Sequence, residues 1–212
     1  MLFGSDAMGH DDGDDAGGFG IVAQPTINET FKEVWAVGKR PGLAVVSLDG
    51  KLGSRWSAKT IGTPGVPFSR LDENIFQGPW HTLAAGHWRM KDHITLGEGR
   101  AHVRIVQALA SPRACHDRRV LALEDNMPVA CAMSKGRSPA PSLNFLCRRH
   151  SAASLDAGLV VSAPWCQTSV QPADDASRNR PEKARPTCSG SARANNGIEV
   201  SESHSRFRRV AH

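Results

Sequence analysis

The chain has 212 residues, a formal net charge of +5 and 40% apolar residues, which is enough material for one domain with a core and flanking tails. Its longest apolar runs have the length of strands, which argues against a membrane-spanning helix, and its N-terminus lacks the basic and apolar segments of a secretory signal. The five cysteines are odd in number and lack C-x-x-C spacing. They favour reduced thiols in an intracellular protein, cytoplasmic or nuclear, over a disulfide framework or a zinc site.

The two ends of the chain differ in charge. Residues 1–20 contain five acids and no Lys or Arg, and their Gly/Asp-rich composition predicts a disordered leader. Residues 179–212 contain seven Lys or Arg against three Glu and little apolar material, which predicts a disordered basic tail. The basic balance is compatible with a polyanionic partner but does not require one.

Residues 21–79 form a poorly defined extension. Within it, "GLAVVSLDGKLGSRWS" (Gly42–Ser57) predicts two short strands around Asp49-Gly50, since an Asp-Gly pair between alternating segments is typical of a β-hairpin. The Gly/Pro-rich stretch that follows predicts a loop.

A regular pattern of strands and helices covers residues 80–178, which we predict to be one domain. Strands alternating with helices indicate an α/β sheet flanked by helices, with short right-handed crossovers. The predicted elements are a strand in Gly86–Leu96, a helix from Glu98, a strand at Arg118–Asp125, a helix at Met127–Gly136, a helix ending at Gly158, a strand at Leu159–Cys166 and a helix beginning within Gln167–Arg178.

Three acids fall at strand ends or helix starts, namely Glu98, Asp125 and Asp174. Such a position commonly belongs to a helix cap, which accepts backbone N–H bonds and complements the helix dipole. Three converging carboxylates would repel one another unless a cation lay between them, and Mg²⁺ prefers such oxygen ligands. The residues alone leave both interpretations open.

Four segments carry a more specific signal: "HITLGEGRA", "LEDNMPVACAMSKGRSPAPSL", "AGLVVSAPW" and "QPADDASR". Together they resemble the ribonuclease H domain of reverse-transcriptase retroelements. That family has a "HINxLExRA" helix start, a "DNxxxxxxLNKGRSSSPxL" segment and a closing "WVPSExNPADxPSR". Order and spacing agree over about 100 residues, from Trp80 to Arg178.

The resemblance implies a ribonuclease H-like mixed sheet and a set of site residues. Glu98, Asp125 and Asp174 correspond to the second, third and fourth metal-binding acids, and Asp49 in "SLDGK" is the best candidate for the first. The residues implied to contact nucleic acid are Asn126, Lys135, Arg137 and Arg178. For Lys135 and Arg137, a solvated helix end is an equal alternative.

The implied activity is hydrolysis of the RNA strand of an RNA–DNA hybrid with two Mg²⁺ ions. Several departures from the family pattern support an alternative, an inactive remnant with weak or no nucleic-acid binding. Gly97 and Gly99 flank Glu98 and each weakens a helix by about 1 kcal/mol, and the family's "SExN" is reduced to "SVQ". Asp49 also fits a simple turn residue of the hairpin, which would leave the first acid missing.

Overall fold

The computed structural model describes residues 2–9, 17–24, 44–47, 69–76, 79–89 and 91–178. The strands are β1 (Leu2–Met8), β2 (Gly18–Gln24), β3 (Ala44–Ser47), β4 (Ser69–Asp72), β5 (His81–His87), β6 (Arg119–Leu123) and β7 (Val160–Ser162). The helices are α1 (Ile94–Ala110), α2 (Met127–Lys135), α3 (Pro141–Asp156) and the short α4 (Asp174–Ser177). Single 3-10 turns lie at Glu73–Phe76, Arg113–Cys115 and Thr168–Val170.

Five of these strands form a mixed sheet in the order β5-β2-β1-β6-β7. β1 pairs antiparallel with β2, and β2 pairs antiparallel with β5. On its other edge β1 pairs in parallel with β6, and β6 pairs in parallel with β7. The chain is therefore a mixed α/β structure with β1 at the centre of its main sheet, which confirms the predicted α/β class.

The prediction of a disordered leader is wrong for Leu2–Met8 and for the start of β2. Leu2 and Phe3 are buried, as are Ile21 and Val22 on the neighbouring strand. The average composition of residues 1–20 is dominated by the acids and glycines between the two strands. The two short apolar segments that form the strands therefore contribute little to the average. Because β1 and β2 belong to the main sheet, the domain also extends beyond the predicted residues 80–178.

Both faces of the main sheet are covered by apolar side chains. Val120 and Ala122 pack with α1, whereas Leu121 and Leu123 pack on the opposite face with Ala173 and Ala176 from the α4 region. This is the alternation expected along a strand, where successive side chains point to opposite faces. The same alternation decides which polar side chains at the strand ends share a face.

Helix α1 begins one turn earlier than the sequence predicted. His93 is in extended conformation and its Nδ1 accepts a hydrogen bond from the backbone N–H of Thr95 at 3.2 Å, so that it caps the helix. The strand predicted in Gly86–Leu96 lies earlier, in β5, and ends at His87. Glu98 therefore lies in the second turn of α1 and not at its start.

The predicted elements after residue 118 are confirmed, with shorter ends. Asn126 caps α2 by accepting a hydrogen bond from the N–H of Val129 at 3.3 Å. Gly136 ends the same helix with a φ of 67°, a left-handed conformation that glycine adopts readily. Leu143 and Leu146 are buried on α3, as the apolar spacing of this helix predicts, but Leu155, which the same spacing places on that face, is exposed.

Part of the predicted hairpin in residues 42–57 is described. Ala44–Ser47 forms β3, which pairs in parallel with β4, and Val45 is fully buried. Asp49 and the second half of the predicted hairpin lie outside the described residues, as do residues 179–212.

Two expectations about the chain as a whole concern thiols and membranes. The described cysteines, Cys115, Cys131, Cys147 and Cys166, are free thiols. Among the helices of the described ranges, none combines the length and apolar character needed to cross a bilayer.

Candidate metal centre

Three carboxyl groups from distant parts of the sequence meet at one end of the sheet. Asp6, Glu98 and Asp125 each contribute one carboxylate oxygen, and these three atoms all lie within 4.8 Å of one another. Asp6 and Glu98 are buried and Asp125 is half-buried. Carboxylate oxygens at such separations can share a cation as ligands, so the cluster could hold a metal ion.

The strand pairing brings Asp6 and Asp125 side by side. In the parallel pair of β1 and β6, the last paired residues are Gly4 and Leu123. Asp6 lies two residues after Gly4, and Asp125 lies two residues after Leu123. Alternation then sends both to the face that α4 covers. The hydroxyl of Ser177 on α4 donates a hydrogen bond to Asp6 Oδ2.

Glu98 reaches the same point from α1. Its Oε2 accepts a hydrogen bond from the backbone N–H of Ala7 at 3.0 Å, which ties the second turn of the helix to β1. Gly97 and Gly99 are two of the departures from the family pattern. Both are buried inside α1. The helix is therefore intact around Glu98 despite the low helix propensity of its neighbours.

Burial and mutual repulsion favour the neutral forms of these acids. Burial, followed by the charge of Asp125, raises the pKa of Asp6 to about 7. Burial, followed by the charges of Asp6 and Asp125, raises the pKa of Glu98 to about 11. The pKa of Asp125 is also raised, mainly by burial. Without a cation the cluster thus binds protons that solvated carboxylates would release.

Asp174 lies beside this cluster as the first residue of α4. The Ser177 hydroxyl contacts both Asp6 Oδ2 and the backbone oxygen of Asp174, so Asp174 is close to Asp6, although it is not one of the three clustered ligands. Its negative charge raises the pKa of both Asp6 and Asp125. Its Oδ1 accepts a hydrogen bond from Arg178 Nε at 2.9 Å. The predicted fourth acid is therefore next to the centre, and the predicted nucleic-acid contact Arg178 is bound to it.

A groove along α2 contains the predicted basic residues. It has a volume of about 530 Å³ and runs between the start of α1, helix α2 and the connection to α3. Lys135 and Arg137 line it and are both exposed. The other lining residues are His93, Thr95, Leu96, Pro128, Cys131, Ala132, Ser138, Pro139, Ala140, Ser142 and Leu143.

The structure brings together two of the predicted acids and adds one that sequence reasoning missed. Glu98 and Asp125 converge, but the third member is Asp6, which had been assigned to the leader. The available signal was the apolar pair Leu2-Phe3 shortly before Asp6, with the apolar segment Phe19–Ala23 after the glycines. Asn126, predicted to contact nucleic acid, uses its side-chain oxygen as the cap of α2.

Comparisons with protein-family models, with curated proteins and with solved structures gave no match to this chain.

Proposed function

We propose that this chain is a ribonuclease H-like domain that hydrolyses the RNA strand of RNA–DNA hybrids with two Mg²⁺ ions. The observation that carries the proposal is the convergence of Asp6, Glu98 and Asp125 within 4.8 Å. Two of these acids are those that the motif resemblance assigns to metal binding. The third lies on the opening strand, where the family's first acid belongs, although Ala7 follows it in place of the family's Gly or Ser.

The four acids have distinct roles in this proposal. Asp6, Glu98 and Asp125 would hold the cations, and Asp174 would complete the set from α4. When bound, a pair of Mg²⁺ ions activates a water molecule and stabilises the leaving oxygen of a phosphodiester. Oxygen-only ligands of this kind favour Mg²⁺ over softer metals such as zinc.

The protein prepares the ligands by fixing their orientation and their protonation. The Ala7 N–H holds Glu98 and the Ser177 hydroxyl holds Asp6, so that neither carboxyl group rotates freely. Because carboxylates must be deprotonated to bind a metal, cation binding has to displace the protons that burial retains on Asp6 and Glu98. Metal affinity should therefore increase as the pH rises.

The groove supplies a surface for the nucleic-acid backbone. Lys135 and Arg137 are exposed, carry positive charge and lie on the wall of the groove, which also includes Pro128, three residues after Asp125 in the sequence. Contacts of this kind neutralise phosphates and carry little sequence information. Recognition of a hybrid would rest on backbone shape and 2′-hydroxyl groups.

Asp6 also bears on the alternative of an inactive remnant. That alternative rested in part on a missing first acid, because Asp49 equally fits a turn. With Asp6 beside Glu98 and Asp125, a first acid is available without Asp49. The geometry thus favours an active enzyme over the remnant.

A nicking assay tests this proposal directly. The purified chain with Mg²⁺ should cleave the RNA strand of a labelled RNA–DNA hybrid, and Asp125→Asn should reduce the rate by at least about 100-fold, because it removes a charged metal ligand. Asp156→Asn is a matched control, since Asp156 is exposed at the end of α3, and its rate should equal that of the wild type. The proposal would be contradicted if Asp125→Asn retained the cleavage rate of the wild type, or if the wild type did not cleave the hybrid.

A further inference from the structure

A second set of polar side chains lies buried behind the acids, on the opposite face of β1 and β6. The Ser5 hydroxyl donates a hydrogen bond to Glu124 Oε1 at 2.6 Å. His102 Nδ1 lies 2.7 Å from the same oxygen, and His102 Nε2 lies 3.1 Å from His150 Nδ1. The chain of contacts therefore runs from β1 through β6 and α1 to α3. We call Ser5, Glu124, His102 and His150 the buried polar network.

Each of the first three members adjoins one of the clustered acids along the chain. Ser5 immediately precedes Asp6, and Glu124 immediately precedes Asp125. His102 follows Glu98 by one turn of α1, so the two side chains leave the same side of the helix. A shift of any member of the network would move the acid beside it.

The network is sealed from solvent. Ser5, His102 and Glu124 have no exposed surface, and His150 is only 8% exposed. Burial lowers the pKa of His102 to about 4 and that of His150, with a contribution from His102, to about 3, so burial favours the neutral form of both rings. A neutral imidazole has one donor and one acceptor nitrogen, which lets His102 bond to Glu124 on one side and His150 on the other.

Sealed polar groups of this kind have few alternative arrangements. A buried polar group without a partner costs about 1–3 kcal/mol, so each member holds the others in the observed geometry. The network joins the two strands and the helix that carry Asp6, Asp125 and Glu98. It is therefore suited to fixing the distances between these three elements.

We propose that the buried polar network is a positioning device that holds Asp6, Glu98 and Asp125 at cation-binding separations. This inference rests on the proposed function, because it assumes that the three acids bind a divalent cation. The members of the network are positioning residues: they touch neither cation nor substrate and act through the backbone of β1, β6 and α1.

Two substitutions of His102 separate hydrogen bonding from packing. His102→Asn keeps a side-chain N–H near the position of Nδ1 and so retains the bond to Glu124, but it loses the contact with His150 and leaves a cavity. His102→Leu fills the space but loses the bond. The readouts are Mn²⁺ affinity, from the electron paramagnetic resonance signal of free Mn²⁺, and stability toward urea, both on the full chain.

If the network positions the acids, Mn²⁺ affinity should depend on whether the hydrogen bond to Glu124 is retained and not on stability toward urea. His102→Leu should weaken Mn²⁺ binding by about 10- to 100-fold, as is typical when the groups that orient metal ligands are removed, whereas His102→Asn should bind close to wild type. Ser5→Ala, a smaller change that removes the bond to Glu124, should behave like His102→Leu. Val106→Ala is the packing control, because Val106 is buried on α1 outside the network; it should lower stability and leave Mn²⁺ affinity unchanged.

The outcomes distinguish this inference from the proposed function. If wild type binds Mn²⁺, Asp125→Asn does not, and His102→Leu and Ser5→Ala bind as wild type does, the positioning role is overturned and the metal site stands. If affinity in all variants simply follows stability, the role is structural and the inference fails. If wild type binds no more Mn²⁺ than Asp125→Asn does, the proposed function fails, and the inference fails with it. Should His102→Leu not fold, Ser5→Ala and His102→Asn still decide the question.

Discussion

At the scale of single residues, Glu98 has an unusually high pKa for a carboxyl group. Its side chain is buried, it faces two other carboxyl groups, and its pKa is raised to about 11 by burial and then by the charges of Asp6 and Asp125. The hydrogen bond from the Ala7 N–H opposes this shift. At neutral pH and without a cation, Glu98 therefore keeps its proton, which an unfolded chain would have released.

This shift predicts that the cation-free protein loses stability as the pH rises from 6.5 to 8.5. A carboxyl group whose pKa is raised on folding contributes stability that is fully present below its unfolded pKa, about 4.3, and is lost as the pH rises toward the folded value. Over this window the loss from Glu98 has an upper limit of about 1.4 kcal/mol per pH unit. Urea unfolding with a chelator present measures it.

Glu98→Gln is the control for this prediction, because it keeps the shape of the side chain but cannot ionise. Its stability should depend less on pH than that of wild type over the same window. The depressed pKa values of His102 and His150 act in the opposite direction and only below about 6.5, where stability is lost as the pH falls. Parallel profiles for wild type and Glu98→Gln would contradict the assignment.

At the scale of elements, the contact between β2 and α4 is unusually close. A Cβ atom at Gly20 would lie 2.4 Å from the backbone nitrogen of Ser177. Helix α4 carries both Asp174 and the hydroxyl of Ser177 that binds Asp6. The absence of a side chain at Gly20 is therefore what lets α4 approach the centre.

Gly20→Ala should displace α4 and destabilise the fold. Insertion of a methyl group against a packed backbone typically costs about 1–3 kcal/mol, and the displacement should also weaken divalent-cation binding by loosening Asp6. Urea unfolding and Mn²⁺ binding measure the two effects. Gly9→Ala is the matched control, since the nearest atom to its added Cβ is Ile94 Cδ1 at 3.8 Å. Equal stability of the two variants would show that α4 does not depend on this contact.

At the scale of the whole molecule, the centre links elements that are distant in sequence. Asp6 comes from β1, Glu98 from α1, and Asp125 follows β6 directly. A cation bound by all three would join the middle of the sheet to the helix that covers one face. Because the unfolded chain does not hold these residues together, binding would favour the folded state.

Addition of Mg²⁺ should therefore stabilise the chain. At a free concentration about 100 times the dissociation constant, the expected gain is about 2.7 kcal/mol, and a chelator should reverse it. Thermal unfolding with and without Mg²⁺ measures the shift. Asp125→Asn should unfold at the same temperature in both conditions; a Mg²⁺ shift of wild-type size in that variant would place the stabilising cation elsewhere.

Local sequence patterns were sufficient for the elements that follow residue 118. The run of apolar residues in β6, the proline and glycine that delimit α2, and the apolar spacing of α3 are short-range signals, and all three elements lie where they were predicted. The same signals located Asp125 after a buried strand and Glu98 near the start of a helix. The sequence by itself thus determined the α/β class and the local positions of Glu98 and Asp125, whose assignment to a metal site came from the motif resemblance.

Only the tertiary structure decided that Asp6 completes the cluster. A short strand such as β1 is stabilised by its partners, and its parallel partner β6 begins at Arg119, more than a hundred residues away. The same holds for the hydrogen bond from Ser5 to Glu124, which spans 119 positions. Neither pairing produces a local sequence pattern, whereas the acids and glycines that follow β1 produce a strong one that predicts disorder. Helix periodicity depends on near neighbours and is written in the sequence, whereas the placement of a central strand depends on contacts that only the folded chain makes.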